Sequence, residues 1–378
     1  MFPVIDEWPK LVMAFIVSLV ISFIMTPPVK SFAEKVGAID VPKDDRRVHD
    51  HPIPRMGGLA IFMGFVLSLI LFVPMSTKVS GLLMGAVIIA VMGGVDDIVT
   101  LNPWIKLAGQ ILAAYVCIRS GIVFDEISNI NIFSESTYVE IGWLSVPLTL
   151  LWIVGCTNAV NLIDGLDGLA VGVSAISSLT MLVVSLFVSE PVVSIILAAL
   201  FGACLGFMPY NLNPAKIFMG DVGSQFLGFV LSTASIMGLF KFHAIMTFIV
   251  PLLAMAVPLA DTTFAFFRRI LNGQSPFHAD KKHFHHRLLA TGLSQKQAVA
   301  VLYGVSAIMG LFAVLISGHS QQLKWLCVIC AVIILAGIYI IVAIRNPRRA
   351  MERKRQKQLQ EQEKTPAQAE APVQDQQN

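Results

Sequence analysis

Charge is what this sequence has least of. Only 13% of its 378 residues are Asp, Glu, Lys or Arg, against roughly 25% in a soluble globular chain, and so thin a supply excludes an ordinary water-exposed surface. Cysteine is scarce as well. Cys117, Cys156, Cys204, Cys327 and Cys330 all fall in apolar stretches. Cys327 and Cys330 have C-x-x-C spacing, but no second pair accompanies them, so packing rather than zinc or redox chemistry is expected. The segment 121–142 holds Asp125, Glu126, Glu135 and Glu140 without one Lys or Arg. No internal repeat is visible, and nothing suggests nucleic-acid binding.

What is abundant is apolar. Hydrophobic residues make up 56% of the chain and the mean hydropathy is +0.74. A bilayer core about 30 Å thick takes about 20 apolar residues per helix. Runs that qualify lie near 11–29, 57–74, 79–95, 104–120, 143–161, 166–188, 191–209, 223–240, 244–266, 299–317 and 324–344. The expected fold is therefore all-α: a polytopic integral membrane protein with about eleven transmembrane helices. The first run is too long for a signal-peptide core and is followed by "TPPVK" without a small-residue cleavage site, so it reads as a span. With the N-terminus outside, only Lys10, Lys78, Arg119, Lys241 and Lys324 lie on the outer side, and the other 22 of the 27 Lys and Arg face inward. That bias predicts a cytoplasmic C-terminus and basic cytoplasmic faces suited to anionic lipid and phosphate. Residues 1–344 are expected to form one membrane-embedded domain. Residues 345–378, basic and then Gln/Ala/Pro-rich, read as a disordered cytoplasmic tail. The G-x-x-x-G from Gly202 to Gly206 reads as helix packing.

Four polar stretches interrupt this pattern, all on the side assigned to the cytoplasm: "GGVDDIVTLNPWIKLAGQ" (93–110), "NAVNLIDGLDGLA" (158–170), "PYNLNPAKIFMGDVGSQFLG" (209–228) and "HADKKHFHHRLLATGLS" (278–294). Their convergence on one face predicts a single active site. Adjacent Asp96 and Asp97 point about 100° apart on a helix, so one is expected to hold metal or lysine while the other meets substrate. Asp164 and Asp167, three apart, share a helical face, and the glycine after each lets the backbone approach a ligand or break the helix. Asp221 in "MGDVGS" sits at a helix start, where a carboxylate can hold a cation. Oxygen ligands with open positions suit Mg²⁺ that also binds substrate phosphate; simple helix capping is the alternative for each aspartate. Asp261, seven residues before Arg268, is expected in an internal ion pair or helix contact. His285 and His286 are expected to point apart and lack cysteine partners. With Lys281, Lys282 and Arg287 they read as an anion-binding or proton-handling loop rather than a zinc site. His49, among Arg46, Arg47 and Arg55, reads as part of a phosphate-facing loop, with positive-inside charge alone as the alternative.

The segments "GGVDD", "NAVNLIDGLDGLA", "NPAKIFMGDVGS" and "ADKKHFHHRLLATG", in this order, resemble the polyprenyl-phosphate N-acetylhexosamine-1-phosphate transferases, and the resemblance runs from about residue 11 to 344. Within that superfamily the chain looks like the branch using UDP-GlcNAc, particularly the bacterial enzymes that initiate teichoic acid or related envelope glycans. Two residues depart from the pattern: Thr100 stands where many members have a third Asp, and Phe284 replaces an aliphatic residue. The resemblance implies transfer of a sugar phosphate from UDP-GlcNAc to undecaprenyl phosphate in the cell membrane, with Mg²⁺ or Mn²⁺ as cofactor and a homodimer as one assembly to consider. It implies Asp96, Asp97 and Asp164 as catalytic residues, Asp96 as a base on the lipid phosphate, and Asp221 and Asp97 as metal ligands. Asn158, Asn161, Asp164, Asp167 and Asn211 would line the nucleotide pocket; His283, His285, His286 and Arg287 would surround sugar and diphosphate; His49, Arg55 and Lys106 would bind substrate. Two alternatives stay open: another donor, such as a different UDP-N-acetylhexosamine or UDP-MurNAc-pentapeptide, or an ion-coupled transporter, which would hold its carboxylates near mid-bilayer.

Overall fold

Unpaired peptide groups are costly in hydrocarbon, so long apolar stretches close their hydrogen bonds locally, as helices. The computed structural model describes residues 7–42, 51–124, 126–128, 138–140, 142–188, 190–238, 246–271, 283–318 and 320–343. Along them run α1 (Trp8–Lys35), α2 (Gly58–Phe72), α3 (Thr77–Val99), α4 (Pro103–Arg119), α5 (Ser145–Ile163), α6 (Leu169–Val188), α7 (Pro191–Asn211) and α8 (Gly220–Gly238). There follow α9 (Met246–Ala254), α10 (Ala256–Leu271), α11 (Phe284–Ala290), α12 (Gln295–Ser317) and α13 (Gln321–Ala343). Two short antiparallel pairs, β1 (Ile39–Asp40) with β2 (Ile53–Pro54) and β3 (Glu126–Ser128) with β4 (Tyr138–Glu140), lie in the connections.

The expected all-α, multi-span architecture is present. Among the described residues seven helices are long and apolar enough to cross a membrane: α1, α3, α5 with its preceding turn, α6, α7, α12 and α13. Helix α2 is apolar but shorter. The run 244–266, expected as one span, is divided into α9 and α10, with Pro251 before the break and Pro258 after it. Proline lacks the N–H and its ring crowds the preceding turn, so two of them seven residues apart divide a helix. The expected tail lies outside the described residues, as does His49.

Helix α8 is the centre of the bundle: every residue from Val222 to Gly238 is buried. Its hydroxyls must find partners inside the protein. Ser232 and Thr233 each donate to the Phe229 carbonyl at 2.8 Å, and Ser235 accepts from Trp152 Nε1 at 3.0 Å. Helices α3 and α5 pack along α8, while α1 packs against α7 and α2. The inner face of α1 is small: Ala14, Ser18, Ser22 and Thr26 are fully buried. A Cβ on Gly202 or Gly206 of α7 would overlap the Phe15 or Leu19 carbonyl of α1, so the G-x-x-x-G does pack helices. All five cysteines are free thiols.

Candidate active site

The polar stretches meet at one end of the bundle because the sequence ends two helices and starts three there. Asn102 caps α4, accepting from Trp104 N at 2.9 Å, and Pro103 fills the first helical position, where its missing N–H is not needed. Helix α3 ends at Val99 and α5 at Ile163; α6 starts at Leu169 after Gly168, and α8 starts on Gly220. Gly168 has φ +79° and Gly220 φ +73°, left-handed values that glycine adopts without strain. Asp164 and Asp167 therefore do not share a helical face as expected. The glycines break the helix, and both aspartates lie in the α5–α6 connection.

Asp96 and Asp97 diverge, as adjacency requires. Asp97 Oδ1 accepts from Asp221 N at 3.0 Å and its Oδ2 from Val222 N at 3.3 Å, so one carboxylate of α3 caps the first turn of α8. Arg55 closes the other side of this joint, donating through Nε to the Asp97 carbonyl at 2.9 Å at the carbonyl end of α3. Asp96 turns toward α4: its Oδ2 is 2.6 Å from Lys106 Nζ and its Oδ1 accepts from Leu101 N at 2.6 Å. Lys106 Nζ also lies 2.7 Å from Asp221 Oδ2, so the ammonium bridges two neighbouring carboxyl groups and offsets their repulsion. Asn161 Nδ2 donates to Asp221 Oδ1 at 3.2 Å and to Ser224 Oγ at 2.7 Å.

Beside this cluster opens a cavity of about 350 Å³, whose wall includes Arg55, Asp97, Asn161, Asp164, Asp167, Asn211, Asp221 and His286. Asp164 is half-buried, and among the described residues its carboxylate has no hydrogen-bond partner. Burial, reinforced by Asp221, Asp97 and Asp167, pushes its carboxyl up to about 8. At pH 7 that carboxyl is therefore mostly protonated, and a cation taken up beside it, among Asp97, Asp167 and Asp221 of the same wall, would let it ionise. Among the described residues no three His, Cys, Asp or Glu groups form a ready-made metal cage.

Several expected residues have other tasks. Asp96 and Lys106, expected to meet substrate, are both absent from the cavity wall and are bonded to each other beside Asp221. Asn158 is also off the wall, bonded to Gln110 and to the Val154 carbonyl. Asp167 and Asn211 reach the cavity but chiefly tie loops together. Asp167 Oδ2 accepts from Asn213 Nδ2 at 2.9 Å and Ala215 N at 3.0 Å, while Asn211 joins Gly168 N to the Ile217 carbonyl. His283 is buried with its Nδ1 2.9 Å from Asp261 Oδ2, and Asp261 also accepts from Phe284 N at 2.8 Å. Asp261 thus fixes the start of α11 instead of pairing with Arg268.

His285 and His286 do not point apart: their ring centroids are 4.3 Å from each other, because α11 lies across the α5–α6 connection and both turn toward it. A Cβ on Gly165 would come within 2.6 Å of His285 Nε2. Burial, and next the neighbouring His286, lower the His285 imidazole to about 4, so it is neutral at pH 7 and cannot attract an anion by charge. Arg287 borders a separate apolar cavity of about 580 Å³ between α10, α11 and α12. Sequence reasoning missed Gln110 and Gln225, buried amides bonded to each other at 2.9 Å. The available signal was a glutamine inside each of two apolar runs.

Carboxylates and a lysine are thus gathered beside one cavity at the ends of apolar helices. Residues 79–239 match the model described as glycosyl transferase family 4. The chain is 40% identical, over 90% of its own length and 94% of the relative's, to a Bacillus subtilis protein named "Probable undecaprenyl-phosphate N-acetylglucosaminyl 1-phosphate transferase". It is 35% identical, over 78% of its length and 79% of the relative's, to the decaprenyl-phosphate N-acetylglucosaminephosphotransferase of Mycobacterium tuberculosis. A Staphylococcus aureus phospho-N-acetylmuramoyl-pentapeptide-transferase is 32% identical over 70% of this chain and 85% of its own. The chain belongs to glycosyl transferase family 4.

Proposed function

We propose that this protein transfers N-acetylglucosamine 1-phosphate from UDP-GlcNAc to undecaprenyl phosphate, releasing UMP. The observation that carries the reading is the Asp96–Lys106–Asp221 cluster beside an acidic cavity, at the end of apolar helices, in a family whose similar members are named for this chemistry. An oxygen of the lipid phosphate attacks the β-phosphorus of the nucleotide sugar. The new P–O bond forms as the bond to the bridging oxygen breaks, and UMP departs with that oxygen.

Both reactants are anions, so the site must offset their repulsion. Hard oxygen donors at Asp221 and the unpartnered Asp164 suit Mg²⁺, which one or two carboxylates hold while substrate phosphates complete its shell. When bound, the ion supplies charge stabilisation to the phosphates. In place of the expected metal contact, Asp97 fixes the helix start that carries Asp221. Lys106, held by Asp96, supplies a positive charge next to Asp221. Asn161, Asp164 and His286 are the proposed donor-facing residues. The topology we favour has eleven spans, an external N-terminus and a cytoplasmic site and C-terminus, supported by the Lys and Arg bias. The product would open teichoic acid or another envelope glycan pathway.

Membranes containing the protein should release UMP from UDP-GlcNAc only when polyprenyl phosphate is added. Release without the lipid, or none with it, contradicts the reading. In the same assay UDP-GlcNAc should turn over much faster than UDP-MurNAc-pentapeptide, and the opposite order would reassign the donor.

Asp96→Asn should lower kcat, because Lys106 loses a charged partner. The defect should be flat between pH 6 and 9 at saturating Mg²⁺, since a phosphate with a second pKa of about 6 is already mostly deprotonated. Recovery of the variant at high pH would restore Asp96 as a base.

A further inference from the structure

Asp221 is held from behind as well as from the cavity. Its Oδ2 accepts from Gln225 Nε2 at 2.9 Å, one turn along α8. Gln225 Oε1 accepts from Gln110 Nε2 of α4 at 2.9 Å, and Gln110 Oε1 accepts from Asn158 Nδ2 of α5 at 2.7 Å. Asn158 Nδ2 also donates to the Val154 carbonyl at 2.8 Å. Gln110 is 2% exposed and Gln225 fully buried, and neither these two nor Asn158 belongs to the cavity wall.

The order of donors along this chain is forced. A carboxylate only accepts, so Gln225 must turn its amide NH₂ toward Asp221 and its oxygen toward Gln110. Gln110 must then present its NH₂ to Gln225 Oε1, and with Asn158 it forms a reciprocal pair, accepting at Oε1 and donating through Nε2 to Asn158 Oδ1 at 3.3 Å. Reversing any one amide sets donor against donor and oxygen against oxygen, and at Gln225 that oxygen faces the Asp221 carboxylate. In a low-dielectric interior such a mismatch is costly, and a fully satisfied chain polarises along its length.

We propose that Gln225, Gln110 and Asn158 are positioning residues that set the rotamer of Asp221. They anchor Oδ2 inward, beside Lys106, and leave Oδ1, with Asn161, toward the cavity. This rests on the proposed role of Asp221 in holding the cation and substrate phosphate. Three helices, α4, α5 and α8, thereby act on one carboxylate. A purely structural role for the amides would instead cost stability and leave turnover of the folded protein unchanged.

The test is Gln110→Met in the full-length purified protein, since Gln110 touches neither Asp221 nor the cavity and methionine keeps its length. Loss of a hydrogen bond between two neutral amides corresponds to about threefold to tenfold in rate. The kcat should fall in that range while KM for UDP-GlcNAc stays nearly constant. Gln110→Met combined with Gln225→Met should be no slower than Gln225→Met alone, because both act through the same contact. Mn²⁺ binding to the substrate-free protein, read by electron paramagnetic resonance, should weaken in both single variants. Asn158→Ala, at the far end of the chain, should show a smaller loss in the same direction and keeps the test open if Gln110→Met folds poorly. Additive rate losses, or a lowered Tm with unchanged kcat and Mn²⁺ affinity, would overturn the proposal. Asp221→Asn separates the two readings. If that variant stays active, the role of Asp221 itself fails; if it is inactive while Gln110→Met keeps full kcat, only the amide chain fails.

Discussion

Asp221→Asn should reduce transfer by about a thousandfold or more while the protein still folds, the largest loss expected from a near-isosteric change in this molecule. Besides Asp96, whose carboxyl also meets it, three side chains donate to this carboxylate: Lys106 and Gln225 to Oδ2, and Asn161 to Oδ1. An asparagine amide must turn its NH₂ toward one side or the other, so it meets a donor in either orientation. It also removes the charge that Lys106 offsets and a hard ligand for the cation. Folding should survive because Asp221 lies at the first turn of α8, whose buried length from Val222 to Gly238 is untouched. Activity per folded protein, at saturating Mg²⁺ and with the Tm in detergent as control, is the measurement. Turnover within about tenfold of the parent would remove Asp221 from the centre of the site.

Gly58→Ala should do comparable damage by another route. A Cβ at Gly58 would overlap the Cα and N of Gly223, backbone of α8 that cannot swing aside. The same junction is tied by Gly57 N donating to the Phe218 carbonyl at 2.9 Å and Gly58 N to the Met219 carbonyl at 2.8 Å. Parting α2 from α8 adds overpacking of about 1–3 kcal/mol and strains two hydrogen bonds worth about 1 kcal/mol each. It also moves the turn that carries Asp221 away from Asp97. A misplacement of about 1 Å is enough for a hundredfold loss in rate. Both Tm and kcat should fall in Gly58→Ala and neither in Gly155→Ala, where a new Cβ would meet nothing within 4 Å. Equal behaviour of the two variants would show that the α2–α8 contact does not set the site.

The class of fold was legible from composition because hydrocarbon leaves the backbone few choices: with so many long apolar runs the chain had to be helical. The meeting of Asp96, Asp97, Asp164 and Asp221 at one end was legible too, since each sits where an apolar run stops, and the separate directions of Asp96 and Asp97 followed from helix geometry alone. Partner choice was not. Asp97 capping α8, Lys106 reaching Asp221, Asp261 holding His283, and the Gln110–Gln225 amide pair all join residues at least 22 positions apart in the chain. Which polar groups pair at such separations depends on which helices are neighbours. The Asp164–Gly168 segment shows the same limit locally: its spacing of three suggested a helical face, but the glycines broke the helix. The sequence by itself determined which residues are polar, that they cluster at helix ends, and that the cluster is acidic. Only the tertiary structure decided which of them open on the cavity and which are spent holding helices together, because in a buried polar site each carboxylate goes to the donors that packing brings within reach.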